Sequence, residues 1–323
     1  MTLTALGLVL AAAVAHAVWN IVAAKSSSSG VPFLFWGAVF STVIWALAIP
    51  LTGGFGRAGV ASLLLAIVVS GVLHVGYMLV LQRGYRAGDL STVYATARGS
   101  APVLTVVVSI LLFGERPGWL ALGGVALVIL GVSAFGLIGR IAPRTRPGGA
   151  TDARGSAADT QDTAEAKGAR GPARRPRVDA AIVFGLLTGV AIATYTLWDV
   201  FVVNDFGISP VAFMVGTSAA QAVIFGGMLG VEGARGLAPA RGVRGALRGT
   251  WKSLIVFGVL SPLSYILVLT AATMAPLSLV APMRELSVVI VGLYGALRTR
   301  ENNPGLRLAA AGVVVCGVLL IGL

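Results

Sequence analysis

The chain of 323 residues is 57% hydrophobic and only 11% charged, and its mean hydropathy is +0.91. Because a soluble domain carries roughly 25% charged residues, this composition excludes a water-soluble globular protein, and we expect the lipid bilayer as its solvent. The net charge of +12 comes mainly from basic residues between the apolar stretches, which is typical of membrane orientation and indicates no nucleic-acid partner.

Apolar stretches of about the 20 residues that a membrane-spanning helix needs follow one another along the chain. Five lie in the first half of the sequence: Thr2–Ala24, Val31–Leu51, Ala61–Leu81, Leu90–Phe113 and Trp119–Ile138. Five more lie in the second half: Ala180–Val203, Pro210–Val231, Leu254–Thr273, Leu277–Leu297 and Leu306–Leu323. Because an odd number of spans per half reverses the direction of entry, the sequence predicts an all-α integral membrane protein with ten transmembrane helices in two inverted five-helix repeats.

Domain boundaries follow from the polar segment between the two sets of spans. Residues 1–138 and 180–323 form the repeats, and residues 139–179 are rich in Arg, Ala, Gly, Pro and Asp. This segment is too polar to span and too poor in large apolar residues to fold alone, so a disordered linker is predicted. The linker and the loops between spans on its side of the membrane together carry 20 Lys and Arg residues. The loops on the other side carry only Arg57 and Arg116. That asymmetry predicts a multi-pass protein of the cytoplasmic membrane with the linker in the cytoplasm.

Short patterns in the first half recur in the second half in the same order, at offsets of 179 to 188 residues. Such duplication in a membrane chain is the usual build of a secondary transporter, whose substrate site lies between the halves. The corresponding pairs are His16–Asn20 with Tyr195–Asp199, Tyr77 with Tyr265, Leu90–Val93 with Leu277–Val280, and Glu115 with Glu301.

Polar side chains inside spans are costly in lipid and usually functional, so they define the candidate site. His16, Trp19 and Asn20 lie at i, i+3 and i+4 and share one helix face, as do their counterparts in the sixth span. Related faces of inverted halves converge near mid-membrane, where aromatic rings stack on an organic substrate and Asn or Asp orients it. The alternative is that Trp19 and Trp198 are interfacial belt aromatics. The predicted substrate-binding residues are His16, Trp19, Asn20, Tyr77, Tyr94, Arg98, Tyr195, Trp198, Asp199, Tyr265 and Arg284.

The charged residues near and within the spans also have structural interpretations. Arg98 either binds an anionic substrate group or forms an ion pair with Glu285 or Asp199. Asp199 and Glu285 are the acidic residues within the spans, and hence the candidates for proton coupling. Glu115 and Glu301 stand where the fifth and tenth helices begin, so they are predicted to cap the N-terminal dipoles of those helices.

The chain resembles the EamA-type branch of the drug/metabolite transporter superfamily. The matching segments are Ala15–Asn20, Gly88–Gly99 with Pro102, Leu112–Arg116 with Gly123, Gly124 and Gly131, Pro276–Ser287, and Glu301 to Gly317. The resemblance implies ten helices in two inverted repeats and secondary transport of small metabolites, often export of amino acids or drugs. The chain departs from the family in its long linker and at Ala95, where many relatives have the proline that Pro282 supplies in the second half.

The function predicted from these patterns is secondary transport, in the direction of export, of small organic metabolites by alternating access. The alternative is a membrane-embedded non-transport protein, either a lipid-processing enzyme or a sensor or assembly subunit. Walker A, zincin and Gly-x-Ser-x-Gly patterns are absent, and two histidines and the single Cys316 are too few for a His- or Cys-based metal site. We therefore expect no enzyme activity, no cofactor and no metal. The expected partners are a small-molecule substrate and the lipid bilayer, with the chain as a monomer or homodimer.

Overall fold

The computed structural model describes residues 1–26, 30–87, 90–141, 180–235, 240–299 and 304–323. Throughout these ranges the regular structure is helical, and the one extended pairing is an antiparallel bridge between Gly56 and Ile208. The predicted all-α class is therefore confirmed. Residues 142–179 of the predicted linker lie outside the described ranges, and residues 139–141 continue the fifth helix.

Eleven α-helices occupy the described ranges, and a short 3-10 helix, Pro50–Thr52, follows the second of them. In the first half they are α1 (Leu3–Ser26), α2 (Gly30–Ala46), α3 (Val60–Ala87), α4 (Leu90–Leu112) and α5 (Trp119–Ile141). In the second half they are α6 (Ala180–Asp205), α7 (Pro210–Ala234), α8 (Ala240–Ala272), α9 (Leu277–Arg284), α10 (Leu286–Thr299) and α11 (Pro304–Gly322).

Within their described residues, seven helices are long and apolar enough to cross a membrane: α1, α3, α4, α6, α7, α8 and α11. The helix α2 and the section Trp119–Ala134 of α5 are shorter and also apolar. Large apolar side chains project outward, as Leu64, Val68 and Val72 do along α3, each more than half exposed. Lipid tails solvate such a surface whereas water does not, and the chain is therefore a multi-pass membrane protein.

The ninth predicted span, Leu277–Leu297, is not one continuous helix. The chain forms α9 and α10, of 8 and 14 residues, which separate at Glu285. Pro282 in α9 has no backbone N–H, so the bond that this residue would make to the Ser278 carbonyl is missing. The amide of Glu285 instead donates to the Pro282 carbonyl at 3.0 Å, and the amide of Val288 donates to the Glu285 carbonyl at 2.9 Å. The helix thus tightens to i→i−3 bonds on either side of Glu285, and α9 ends there, three residues after the proline.

The helix α8 begins well before Leu254, where the eighth predicted span starts. Arg244, Arg248 and Lys252 make this earlier section too polar to count as a span, but its Ala, Leu and Arg residues are good helix formers. The backbone leaves helical geometry at Thr250 (φ −130°, ψ 18°), so α8 is kinked there. The basic section is therefore helical and not a loop.

The helices α5 and α11 pack against each other through glycines. A Cβ placed on Gly124 would lie 2.6 Å from the carbonyl oxygen of Gly317, and one on Gly317 would lie 2.6 Å from that of Gly124. A Cβ on Gly131 would also meet α11, whereas Gly123 and Gly312 have no such neighbour within 4 Å. Small residues permit close backbone approach in lipid, where no hydrophobic force drives helices together.

Other helices pair across the two halves of the chain. The helix α1 packs on α8, α3 and α4 pack on α6, α2 packs on α7, and α1 also contacts α9 and α10. At one end of the bundle the α2–α3 connection meets the α6–α7 connection, where the amide of Arg57 donates to the carbonyl of Gly207 at 2.9 Å. This packing brings together the helices that carry the buried polar residues.

Candidate functional site

Asp199, on α6, is fully buried (0% exposed) and lies among side chains from two other helices. Ser70 Oγ of α3 donates a hydrogen bond to Asp199 Oδ1 at 2.7 Å. Tyr265 Oη of α8 donates to Asp199 Oδ2, also at 2.7 Å. A carboxyl group in a membrane interior is costly unless its oxygens are hydrogen-bonded, and these two hydroxyl donors supply the bonds.

His74 lies one turn from Ser70 on α3 and faces the same carboxyl group. Its Nδ1 is 2.9 Å from the carbonyl oxygen of Ser70, and its Nε2 is 3.7 Å from Asp199 Oδ2. The ring stacks on Tyr195 of α6, with centroids 4.1 Å apart, and Tyr77 packs on the same tyrosine with centroids 5.5 Å apart. We call this cluster the Asp199 group: Ser70, His74, Tyr77, Tyr195, Asp199 and Tyr265.

A second polar cluster surrounds Arg98 of α4. Its Nη1 donates to both carboxylate oxygens of Glu285, at 3.4 and 3.2 Å, and its Nη2 donates to His16 Nε2 of α1 at 3.0 Å. The guanidinium lies over the ring of Tyr94, 5.4 Å from its centroid, and Arg284 Nη2 approaches Glu285 at 3.7 Å. We call these residues the Arg98 group: His16, Tyr94, Arg98, Arg284 and Glu285. Of the alternative ion pairs for Arg98, the structure contains the one with Glu285.

The two groups act on each other through their charges. Arg284 and Arg98 both interact electrostatically with Tyr195, and Arg284 also interacts with His74. With both histidines uncharged, the two arginines of the site balance its two carboxylates. The combined centre therefore has no net charge, yet it presents both signs of charge and aromatic surface to a small organic molecule.

Several buried polar atoms, some of them next in sequence to residues of this centre, have no hydrogen-bond partner among the described residues. They include Nε of Arg284, Oγ of Ser287 and Oγ1 of Thr196. A buried polar group without a partner costs about 1–3 kcal/mol, and such groups mark places where a ligand or water supplies the bond. Arg284 Nε is itself buried, so only a group that enters the interior can supply its missing bond.

Most of the predicted site residues lie in these two groups. The Asp199 group includes four of them and the Arg98 group includes another four, so side chains from both halves of the chain meet at one centre. The eight residues are His16, Tyr77, Tyr94, Arg98, Tyr195, Asp199, Tyr265 and Arg284.

The remaining three predicted residues lie outside the two groups, although Trp19 packs edge-on against His16 with ring centroids 5.0 Å apart. Trp19 packs edge-on against an aromatic ring of α8, with centroids 5.3 Å apart. Asn20 donates to the carbonyl of His16 in its own helix at 2.7 Å, and Trp198 donates to the carbonyl of Ala66 at 3.3 Å.

Ser70 and His74 belong to the centre; the sequence leaves His74, which shares a face with Tyr77, open between cavity lining and packing, and it does not single out Ser70. With Tyr77 they stand at i, i+4 and i+7 on α3 and therefore share one helix face. This stripe in an otherwise apolar helix is the signal that identifies them. Serine alone is a weak signal, because serine hydroxyls in membrane helices commonly bond the backbone of their own helix.

Glu115 caps a helix, but not the one that the sequence predicts. Its two carboxylate oxygens accept hydrogen bonds from the amides of Leu277 and Ser278, at 2.6 and 2.9 Å. The prediction that Glu115 caps α5 is therefore wrong. The first turn of α9 lies beside the α4–α5 connection, and its unsatisfied amides attract the carboxylate across the two halves. Glu301 lies outside the described residues.

A groove of about 1350 Å³ lies beside the Asp199 group, between α3, α4, α6 and the α8–α9 connection. Its walls are mainly apolar, and it opens toward the bilayer, since its lining residues Leu112 and Val190 are 74% and 49% exposed. Trp198 is the predicted site residue that contributes to this lining, whereas the neighbouring Asp199 stays sealed inside. Asp199 is therefore closed off from this groove in this conformation.

No protein-family model and no curated protein matches the chain. Its fold does recur among solved structures, of which 27 chains match. One of them, described as "Crystal structure of protein", superposes with a TM-score of 0.66 at 15% sequence identity, over 98% of this chain and 98% of that one. At this identity the likeness shows the fold alone, and it does so along nearly the whole chain.

Proposed function

We propose that this chain is a secondary transporter of the EamA type, in the drug/metabolite transporter superfamily. It exports small organic metabolites, such as amino acids or drugs, across the cytoplasmic membrane by alternating access. The observation that carries this proposal is the buried, charge-balanced centre formed by the Asp199 and Arg98 groups. Charged side chains within membrane helices are expensive, so a centre with two arginines and two carboxylates indicates a pathway for a substrate or an ion.

The helix packing is consistent with an inverted repeat, the arrangement that alternating access uses. Counted together, α9 and α10 take the place of the ninth span, which gives five spans in each half. Equivalent helices of the two halves then make equivalent packing contacts. The packing of α1 on α8 corresponds to that of α6 on α3, and the packing of α4 on α6 corresponds to that of α9 and α10 on α1. Gly124 meets Gly317 and Gly131 meets Ala310, and these two contacts exchange at the 186-residue offset that relates Glu115 to Glu301, as a two-fold relation requires. Rocking such halves against each other exposes a site at mid-membrane to each side in turn.

The chemistry of the centre fits a small solute with polar groups on an organic body. The Nε of Arg284 offers a buried donor to a carboxylate or carbonyl oxygen of the solute. The rings of Tyr77 and Tyr195, whose centroids are 5.5 Å apart, offer surface on which an apolar or aromatic part packs. Solutes without any polar group would leave the arginine donor unsatisfied and are therefore disfavoured.

Of the two candidates for proton coupling, Asp199 fits better than Glu285. Glu285 is bonded by Arg98 and faces Arg284, so a proton on it would deprive two buried guanidinium groups of their counter-charge. Asp199 accepts its hydrogen bonds from the hydroxyls of Ser70 and Tyr265. Proton uptake at Asp199 therefore breaks no ion pair with arginine in the described part of the chain.

The alternative, a membrane-embedded protein without transport activity, has less support. A lipid-processing enzyme needs reactive His or Asp side chains at a membrane face, whereas His74 and Asp199 are 8% and 0% exposed in the interior. A sensor or assembly subunit has no need of a costly charge-balanced centre shared by helices of both halves.

A ligand screen by thermal unfolding tests the proposal. Purified protein in detergent is heated with amino acids, nucleosides, sugars or cationic drugs, one class at a time. A solute at 100 times its Kd raises the free energy of unfolding by about 2.7 kcal/mol, so we expect at least one class to raise the Tm.

Two variants show whether a stabilising solute binds at the polar centre. Tyr195→Ala removes a ring that stacks there, and Trp119→Ala removes a ring at the start of α5 that is 89% exposed. The solute should lose its effect in the first variant and keep it in the second. Equal stabilisation of both variants, or no stabilising solute for the unmodified protein, contradicts the proposal.

A further inference from the structure

The hydrogen bonds of His74 determine which of its ring nitrogens carries the proton. Nδ1 lies 2.9 Å from the carbonyl oxygen of Ser70, which accepts hydrogen bonds and never donates them, so Nδ1 bears the hydrogen. The uncharged ring then has no hydrogen on Nε2. That nitrogen faces Asp199 Oδ2 at 3.7 Å, and the same oxygen already accepts a hydrogen bond from Tyr265.

Two acceptors therefore face each other in the buried interior. The lone pair on His74 Nε2 and the carboxylate oxygen of Asp199 repel, and their separation of 3.7 Å is longer than a hydrogen bond. One proton taken from the aqueous phase removes this conflict. If the proton is on Asp199 Oδ2, the resulting hydroxyl donates a hydrogen bond to His74 Nε2. If it is on His74 Nε2, the resulting N–H donates to the carboxylate. In either position the hydrogen bond draws the two atoms together.

We propose that Asp199 and His74 form a single proton-binding site, in which one proton is held between Asp199 Oδ2 and His74 Nε2. Neither residue holds the proton alone, because each supplies the acceptor for the other. The sequence points to a carboxyl group as the coupling residue, whereas the structure adds the histidine as its partner. The role of this site in coupling rests on the proposed transport function, whereas its ability to bind a proton does not.

The groups around this pair come from α3, α6, α8 and α9. Tyr195 stacks on the imidazole, Tyr265 donates to the carboxyl group, and Ser70 contacts both side chains. The charge of Arg284, on α9, opposes a second positive charge on His74.

The other histidine of the chain has the opposite surroundings and serves as an internal control. His16 Nε2 accepts a hydrogen bond from Arg98 Nη2 at 3.0 Å. A proton on that nitrogen would break this bond and face a guanidinium group instead of a carboxylate. Only two histidines are present in the sequence, so both give separately observable signals.

Nuclear magnetic resonance of the full chain in lipid nanodiscs, with histidine labelled by ¹⁵N, tests the proposal directly. The signal missing from His74→Asn identifies the His74 ring. In the alkaline part of a pH series we expect His74 in its Nδ1–H form, and on acidification its Nε2 signal should move to that of a hydrogen-bonded or protonated nitrogen. The His16 signals should not move across the same range. A His74 ring that carries its hydrogen on Nε2 throughout, or that never responds to pH, overturns the proposal.

Two further variants separate a shared proton from an isolated titrating histidine. Asp199→Asn keeps the shape and removes the carboxylate, so the pH-dependent change at His74 Nε2 should disappear. Tyr265→Phe keeps the carboxylate and removes one donor to it, so the midpoint of that change should move. If Asp199→Asn does not fold, an unmoved midpoint in Tyr265→Phe still overturns the proposal. If the His74 signal responds to pH as expected but the protein does not transport any solute, only the transport function is refuted. If the protein transports a solute but the His74 signal does not respond, only the proton site is refuted.

Discussion

Replacing Arg98 with methionine should lower the free energy of unfolding by about 3–5 kcal/mol, because it leaves the carboxylate of Glu285 buried without its main partner. Glu285 is 1% exposed, and Arg98 Nη1 donates to both of its oxygens at 3.4 and 3.2 Å. The longer contact from Arg284, at 3.7 Å, remains in the variant and puts the expected loss toward the lower end of that range. Denaturant unfolding in a fixed detergent measures the difference.

Two further variants distinguish a buried ion pair from a general effect of losing an arginine. Arg116→Met, at an exposed position in the α4–α5 connection, should stay within about 0.5 kcal/mol of the unmodified protein. The double variant Arg98→Met with Glu285→Met should recover part of the loss, since no carboxylate is then left unpaired. A loss below about 0.5 kcal/mol for Arg98→Met alone means that the pair is not important for stability.

Leucine in place of Gly124 should destabilise the crossing of α5 and α11, at the upper end of the 1–3 kcal/mol range that is typical of overpacking. A Cβ at this position would lie 2.6 Å from the carbonyl oxygen of Gly317, and a backbone atom cannot yield as a flexible side chain does. Gly123→Leu is the matched control, because nothing lies within 4 Å of its Cβ. Thermal unfolding of the two variants should therefore differ clearly. Equal Tm values for them would mean that the two helices do not cross here.

Much of the helical arrangement is predictable because the apolar stretches have the length that a bilayer imposes. The predicted fourth span, Leu90–Phe113, differs from the helix Leu90–Leu112 by a single residue. The break at Glu285 is not predictable from its nearby proline, because Pro102 and Pro262 lie inside helices that continue past them. The start of α8 is missed for a different reason, since a hydropathy pattern rejects basic residues even when they continue a helix.

The composition of the site is more predictable than its pairings. Charged and aromatic residues inside spans are visible in the sequence, but Arg98 and Glu285 are 187 residues apart and their contact depends on how the halves pack. The same limitation applies to Glu115, whose capping partner lies in the other half. Trp198 shows a further limit: the spacing places it on the face of Asp199, whereas small rotations of the helix decide whether its ring points inward.

The central claim is that the polar centre around Asp199 lies on a transport pathway, and uptake into liposomes tests it most directly. The solute that stabilises the protein is supplied in labelled form to vesicles with and without a proton gradient. Vesicles with the unmodified protein should accumulate it under a proton gradient and should also exchange it when no gradient is imposed. The comparison variant is Asp199→Asn, which keeps the size of the side chain and removes its charge.

The variant should still insert and exchange solute, because the arginines and aromatic rings of the centre remain, but it should lose accumulation driven by the gradient. That result is expected if Asp199 carries the coupling proton through the membrane. Gradient-driven accumulation that is unchanged in Asp199→Asn contradicts the role of Asp199. Uptake by the unmodified protein that does not exceed that of protein-free vesicles contradicts the account as a whole.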